Sequence, residues 1–203
     1  MKARLISQET VYLYHIGLNS QRGQEITQAL GEISVQVKEI KEEQLGETLG
    51  YCLGLPGFSK NDSPLAEEGF DQEVLVMKGF TRQSMDRMLK QFQRKGVPPV
   101  ALKAVLTEHN SKWRCIDFFR ELEREHMFMS AYQSLRRQVL VAEGIAAPSQ
   151  DLRREALRAS ELLAKGNEIE YEELVQELKC ISSILEKECR EEKQGISNDF
   201  EIS

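Results

Sequence analysis

The chain has 203 residues, 40% hydrophobic and 30% charged, and a formal net charge of −6. That length buries a full core without metal or disulfide staples and suits one domain with an extension. The acidic balance argues against general nucleic-acid binding, which rests on phosphate contacts, and no stretch is long and apolar enough to span a bilayer.

Lys2 and Arg4 have no apolar run behind them, so a signal peptide is not expected and the cytoplasm is the expected compartment. Val11-Tyr12-Leu13-Tyr14-His15-Ile16 reads as a strand, with Tyr12, Tyr14 and Ile16 on one face and Val11 and Leu13 on the other. Gly17–Ser20 is a turn with N-cap candidates, before a helix from about Gln21 to Ile33 that aligns Ile26, Ala29, Leu30 and Ile33. Val35–Ile40 is a second strand, and roughly 42–53 a short amphipathic helix. Residues 54–72 hold Gly54, Pro56, Gly57, Asn61, Asp62, Ser63, Pro64 and Gly69, a linker composition.

The order then repeats. Val74–Lys78 is a strand, Gly79-Phe80-Thr81 a turn with Thr81 as N-cap, and about Arg82 to Lys95 a helix that buries Met85, Met88, Leu89 and Phe92. Gly96 stands at the C-terminal cap position, and Val100–Leu106 is a strand. Setting Gly17 on Gly79 pairs Leu13 with Leu75 and Ile26 with Met88, an internal duplication carried by element order more than by identity. Two such units predict an α+β, ferredoxin-like βαββαβ domain over residues 1–129, its first and third strands central and mutually parallel. An α/β fold with a parallel sheet is the alternative.

From about Lys112 the pattern is helical, with a break expected near Ser130. Helices follow from about Gln150 to Lys165 and from about Glu170 to Glu192. Residues 130–193 form a helical extension, and 194–203 are expected to be a disordered tail. The stripe Leu174, Leu178, Ile181 and Leu185 predicts that 150–192 pack as a hairpin, within the chain or across a dimer.

Three stretches carry a resemblance: Val74-Leu75-Val76 with Gly79-Phe80, then Lys103-Ala104-Val105-Leu106-Thr107-Glu108-His109-Asn110-Ser111-Lys112-Trp113, then Phe118–His126. With them, residues 73–128 resemble a bacterial family known as domain of unknown function 3783. Residues 45–58 look like the segment that precedes the domain in longer members. The family implies no activity, and the helices after Ser130 lie outside it.

The charge is unevenly spread. Residues 1–72 carry 6 basic and 11 acidic side chains, 73–114 carry 9 and 3, and 115–203 carry 12 and 19. The basic island contains Arg87, Lys90 and Arg94 on one helix face. It reads as a solvated stripe, or as a dock for the acidic side of the last helix. Cys52, Cys115, Cys180 and Cys189 show no C-x-x-C pair, and all four read as reduced packing residues.

Two candidate ligand sites follow. Lys103, Thr107, Asn110 and Trp113 lie at a strand-to-helix junction, where Thr107 and Asn110 offer polar groups and Trp113 an apolar wall. The competing reading is a helix cap over a packed tryptophan. Parallel central strands would bring Asn19, Ser20, Arg22, Thr81 and Arg82 to one edge, as two helix N-termini with two arginines for a small anionic ligand. Ordinary caps are the competing reading.

No G-x-S-x-G, Walker, H-E-x-x-H or C-x-x-C motif is present, and no catalytic residue, metal or cofactor is expected. His15, inside a strand, reads as structural. The leading expectation is a non-enzymatic interaction or assembly module. Both faces of the strands are apolar, so the C-terminal helices or a second subunit must cover one of them. The partners envisaged are a second copy or another protein. The alternative is a regulatory domain for a small anion. RNA on the Tyr12 and Tyr14 face is disfavoured by the charge.

Overall fold

The structure is a computed structural model that describes residues 8–61 and 69–200. The N-terminal seven residues, Asp62, Ser63 and Pro64 of the expected linker, and the last three residues lie outside the described part. The chain divides into a unit over 1–124 and a unit over 125–203.

In chain order the first unit contains β1 (Thr10–Tyr14), α1 (Gln21–Gly31), β2 (Gln36–Ile40), α2 (Leu49–Cys52), β3 (Val74–Lys78), α3 (Arg82–Lys95), β4 (Leu102–Val105) and the start of α4 (Cys115–Gly144). Local chemistry sets several of these bounds. The Ser20 hydroxyl accepts from the Gly23 amide at 3.0 Å and starts α1. A Cβ on Gly23 would lie 2.1 Å from the Gly17 carbonyl oxygen, so only glycine lets the first turn fold against that loop. Thr81 and Ser84 form a capping box at the head of α3. Gly96, at φ 67°, ends α3 in the left-handed conformation.

The strands form one mixed sheet in the order β2-β1-β3-β4. The class is α+β, but the sheet is not ferredoxin-like. Strands β1 and β3 are central as expected, yet antiparallel, with Leu13 directly opposite Leu75. Each pairs in parallel with the outer strand of its own βαβ unit, β1 with β2 and β3 with β4. The all-parallel alternative fails for the same reason. A connection of more than thirty residues separates Ile40 from Val74. It is long enough to let β3 enter from either end.

Both faces of the sheet are buried. On one, α1 and α3 cover Val11, Leu13, Leu75 and Met77 with Ile26, Leu30, Met88 and Phe92. On the other, Leu45, Leu49, Leu53 and Phe70 join Ile116 and Phe119 over Tyr12, Tyr14, Val74 and Val76. This second cover comes from the segment around α2 and the first turns of α4. The expected cover from C-terminal helices or a second subunit is therefore not needed. Tyr12 and Tyr14 send their hydroxyls to the Leu53 and Phe70 carbonyls, at 2.9 and 2.8 Å, and burial raises both phenol pKa values.

His15 corrects the first strand. It lies past the end of β1 at φ 56°. That left-handed residue breaks the alternation, so Ile16 joins Val11 and Leu13 rather than the tyrosines. The helix expected over 42–53 is a 3-10 turn followed by the short α2.

The second unit contains the distal part of α4, then α5 (Gln150–Ala164) and α6 (Tyr171–Phe200). α4 runs unbroken past Ser130. Leu174, Ile181 and Leu185 are buried among Leu135, Val139, Leu152, Ala159 and Leu162, with Leu178 packed at the edge. α5 and α6 pair directly. Ser149 caps α5, and its own amide donates to the Glu188 carboxylate at 2.6 Å. α6 runs to Phe200.

Candidate functional site

The junction after β4 is a closed turn. The Thr107 amide donates to Asn110 Oδ1 at 2.7 Å, the Asn110 amide to Thr107 Oγ1 at 3.2 Å, and Asn110 Nδ2 to the Val105 carbonyl at 3.0 Å. Both side chains are occupied in shaping the backbone, as in a reciprocal cap. Trp113 packs on the second sheet face with the His109 ring edge-on at 5.5 Å. Lys103 donates to the Val100 carbonyl at 3.2 Å. Thr107 and Asn110 thus shape the turn, Trp113 packs, and Lys103 bonds the loop before β4.

The two helix N-termini are not brought together. Because β1 and β3 are antiparallel, the chain leaves them at opposite ends of the sheet. Arg22 bonds the Pro99 carbonyl at 3.3 Å and pairs with Glu73 at 2.8 Å, near the far end of α3 from Thr81 and Arg82. The Ser20 hydroxyl donates to Gly17 O, and the Asn19 carbonyl accepts from Gln24.

The basic stripe lies along an open groove of about 710 Å³ lined by Thr81, Ser84, Arg87, Lys90 and Arg94, with Glu9 among them. Arg87 pairs with Glu9 at 2.5 Å. Arg94 bonds Gln91 at 2.6 Å and stands 3.6 Å from Glu32. Lys95 holds Glu32 at 2.5 Å; that hydrogen bond, then one from Gln91, keeps the Glu32 carboxyl below its usual range. Two of the three stripe cations are thus neutralised within the first unit. The acidic residues of α6 likewise find partners in the second: Glu173 pairs with Lys165 and Glu177 with Arg158.

The surface that sequence reading missed is on the helical unit. Leu140, Val141 and Leu157 are 60, 51 and 63% exposed. Each follows an arginine by four residues, Arg136, Arg137 and Arg153, and that spacing puts each pair on one helix face. Among the described residues these three arginines make no ion pair, whereas Arg154 and Arg158 are paired with Asp151 and Glu177. A groove of about 380 Å³ runs beside Leu157, lined by Ala142, Pro148, Leu152 and Ala156 and edged by Arg153 and Glu143. The Arg-x-x-x-Leu/Val spacing was a signal in the sequence. Which helix face turned outward was not.

Residues 73–129 match the family described as Domain of unknown function (DUF3783). This segment is a DUF3783 domain. No curated protein and no solved structure matches the chain. The DUF3783 segment spans β3, α3, β4, the Thr107–Asn110 turn and the first half of α4. It does not complete its own sheet, since β3 takes β1 as its other neighbour. It is also clamped by the segment before it. The Leu49 amide donates to the Trp113 carbonyl at 2.8 Å, and the Cys115 and Ile116 amides donate to Glu47 and Leu45 at 2.9 and 3.0 Å. Among the described residues, no three His, Cys, Asp or Glu side chains gather to hold a metal, and no helix is long and apolar enough to cross a membrane.

Proposed function

We propose that the chain is a non-enzymatic interaction module whose α4–α5 face takes an acidic, amphipathic helical segment of another protein. The observation that carries this reading is the repeated pairing of an exposed leucine or valine with an arginine, one turn earlier, that makes no ion pair among the described residues. Apolar side chains of a helix would enter the groove beside Leu157, and a carboxylate would meet Arg153 at its edge, on the side away from an acidic clash with Glu143, a helix-in-groove mode with a planar donor suited to carboxylates. A second copy is disfavoured. Packing this face on itself would oppose arginine to arginine, and among the described side chains α6 exposes no large apolar residue to fill the groove. On this reading the first unit is a scaffold of two duplicated βαβ halves, supported by the direct pairing of Leu13 with Leu75 and the parallel pair flanking each.

A fluorescent peptide with leucine at helical spacing and glutamate elsewhere tests it by anisotropy. Saturable binding that weakens with salt is expected, reduced about tenfold or more by Leu157→Asp or Arg153→Glu. A lysine version of the peptide should not bind. Binding that ignores both substitutions overturns the reading. So does a dimer in sedimentation that Leu157→Asp dissociates, which would assign the face to a second copy.

A further inference from the structure

The fold joins two cysteines that are 63 positions apart in the chain. Cys115 opens α4 and is fully buried, whereas Cys52 ends α2 and is partly buried, its sulfur donating to the Gln44 carbonyl at 3.6 Å. The Cys115 thiol donates to the Cys52 sulfur at 3.3 Å, and both cysteines are free. Their backbones are held in register, since the Cys115 amide is fixed on the Glu47 carbonyl and the Cys52 amide on the Thr48 carbonyl, while Thr48 bridges to Arg114. Cys189, by contrast, is exposed rather than a packing residue, and it lies in the other unit.

We propose that Cys52 and Cys115 are a peroxide-responsive pair that closes to a disulfide and locks the α2 segment onto the start of α4 within the DUF3783 domain. Cys52 is the attacking sulfur because its residue is the more exposed of the two. Its sulfur takes an oxygen from hydrogen peroxide. The O–O bond breaks, Cys52 becomes a sulfenic acid, and its proton leaves with the other oxygen as water. The Cys115 sulfur then attacks the Cys52 sulfur. The S–S bond forms, the S–O bond breaks, and the Cys115 proton leaves with that oxygen as a second water. Two electrons pass from the two thiols to one peroxide. The partner thiol is already in contact, so the sulfenic acid is captured before it oxidises further. Cys115 is not the first to react: the hydrogen bond to Cys52 and then burial push its thiol pKa up and keep it protonated, so its role as the second sulfur rests on its contact with Cys52.

The experiment uses the full chain with Cys180→Ser and Cys189→Ser, treated with hydrogen peroxide and read by mass spectrometry. The expected result is a loss of about 2 Da, a cross-linked peptide joining Cys52 to Cys115, a higher melting temperature, and full reversal by a dithiol. Cys115→Ser, or Cys115→Ala if the serine folds poorly, should stop at a Cys52 sulfenic acid that a 1,3-diketone probe traps. The parent should not be trapped. Cys52 left unreacted, Cys52 accumulating as a sulfinic acid in the parent, or a link only between two chains would each overturn the proposal.

Discussion

The first unit hides its apolar side chains on both sides of a sheet and leaves Leu89 as its one strongly exposed large apolar residue among those described; the second exposes Met127, Met129, Leu140, Val141 and Leu157. The difference has a geometric cause. A sheet has two faces, and here α1 and α3 close one while the α2 segment, Phe70 and α4 close the other. A helix has a continuous circumference, and α4 and α5 spend only one stripe each on the shared core with Leu174, Ile181 and Leu185. Both units bury charge. Glu47 in the first accepts from the Asn61 amide at 2.6 Å, whereas Glu155 and Glu177 in the second, like Arg22 in the first at its Nε, each keep an atom with no hydrogen-bond partner among the described residues. The buried polar hydroxyls of Tyr12 and Tyr14 are satisfied. The first unit thus buries nearly all of its large apolar side chains among those described, and the second leaves several of them in water.

Substitutions sharpen that contrast. Phe119→Ala should cost about 3–5 kcal/mol, since its ring lies between Tyr14, Phe70 and Phe118. Trp113, the single tryptophan, belongs to the first unit and reports that unfolding by fluorescence. Ile181→Ala should cost about 2–5 kcal/mol in the second unit, seen by circular dichroism while the Trp113 transition stays in place. If either change moves both probes together, the units melt as one and the comparison fails.

Glu177→Gln should stabilise the second unit by about 1 kcal/mol at neutral pH. Burial, then the charge of Glu155, raises the Glu177 pKa, and Arg158 only partly offsets them. A raised carboxyl pKa means that the folded state prefers the proton. That contribution is whole below the unfolded value and is lost as pH rises through the folded one. The glutamine variant should therefore lose this part of the pH slope. Glu188, lowered by its hydrogen bonds to Ser149, runs the other way, its contribution being lost as pH falls. Denaturant melts of parent and variant from pH 4 to 8 separate the two; parallel curves would remove Glu177 as a cause. The smallest effect is expected for Leu157→Asp, within about 0.5 kcal/mol of the parent, because its side chain is already in water. A large loss of stability there would mean that Leu157 is a core residue and the α4–α5 face a structural one.

Much of the fold is written locally. Val74–Lys78 and Arg82–Lys95 were bounded from hydrophobic period and caps, and Ser20, Thr81 and Gly96 perform the capping that their residue types suggest. The stripe on α6 packed as its spacing predicts. His15 misled because a single left-handed residue ends β1 where composition continues it. The ligand readings depended on facts of a different kind. The anion site needed parallel central strands, and the Thr107–Asn110 reading needed polar groups left over from backbone capping.

What the sequence alone determined, then, is where elements begin, which of their faces are apolar, and that residues 73–129 form a DUF3783 domain. Those properties arise from neighbours a few residues apart, through side-chain period and backbone donors at helix ends. Only tertiary structure decided the direction of β3 against β1, the identity of the second cover on the sheet, the meeting of Cys52 with Cys115, and which side of α4 and α5 stays in water. Each of these joins groups far apart in the chain. Long connections let several such pairings form at similar entropic cost, so the choice among them falls to packing of the whole unit.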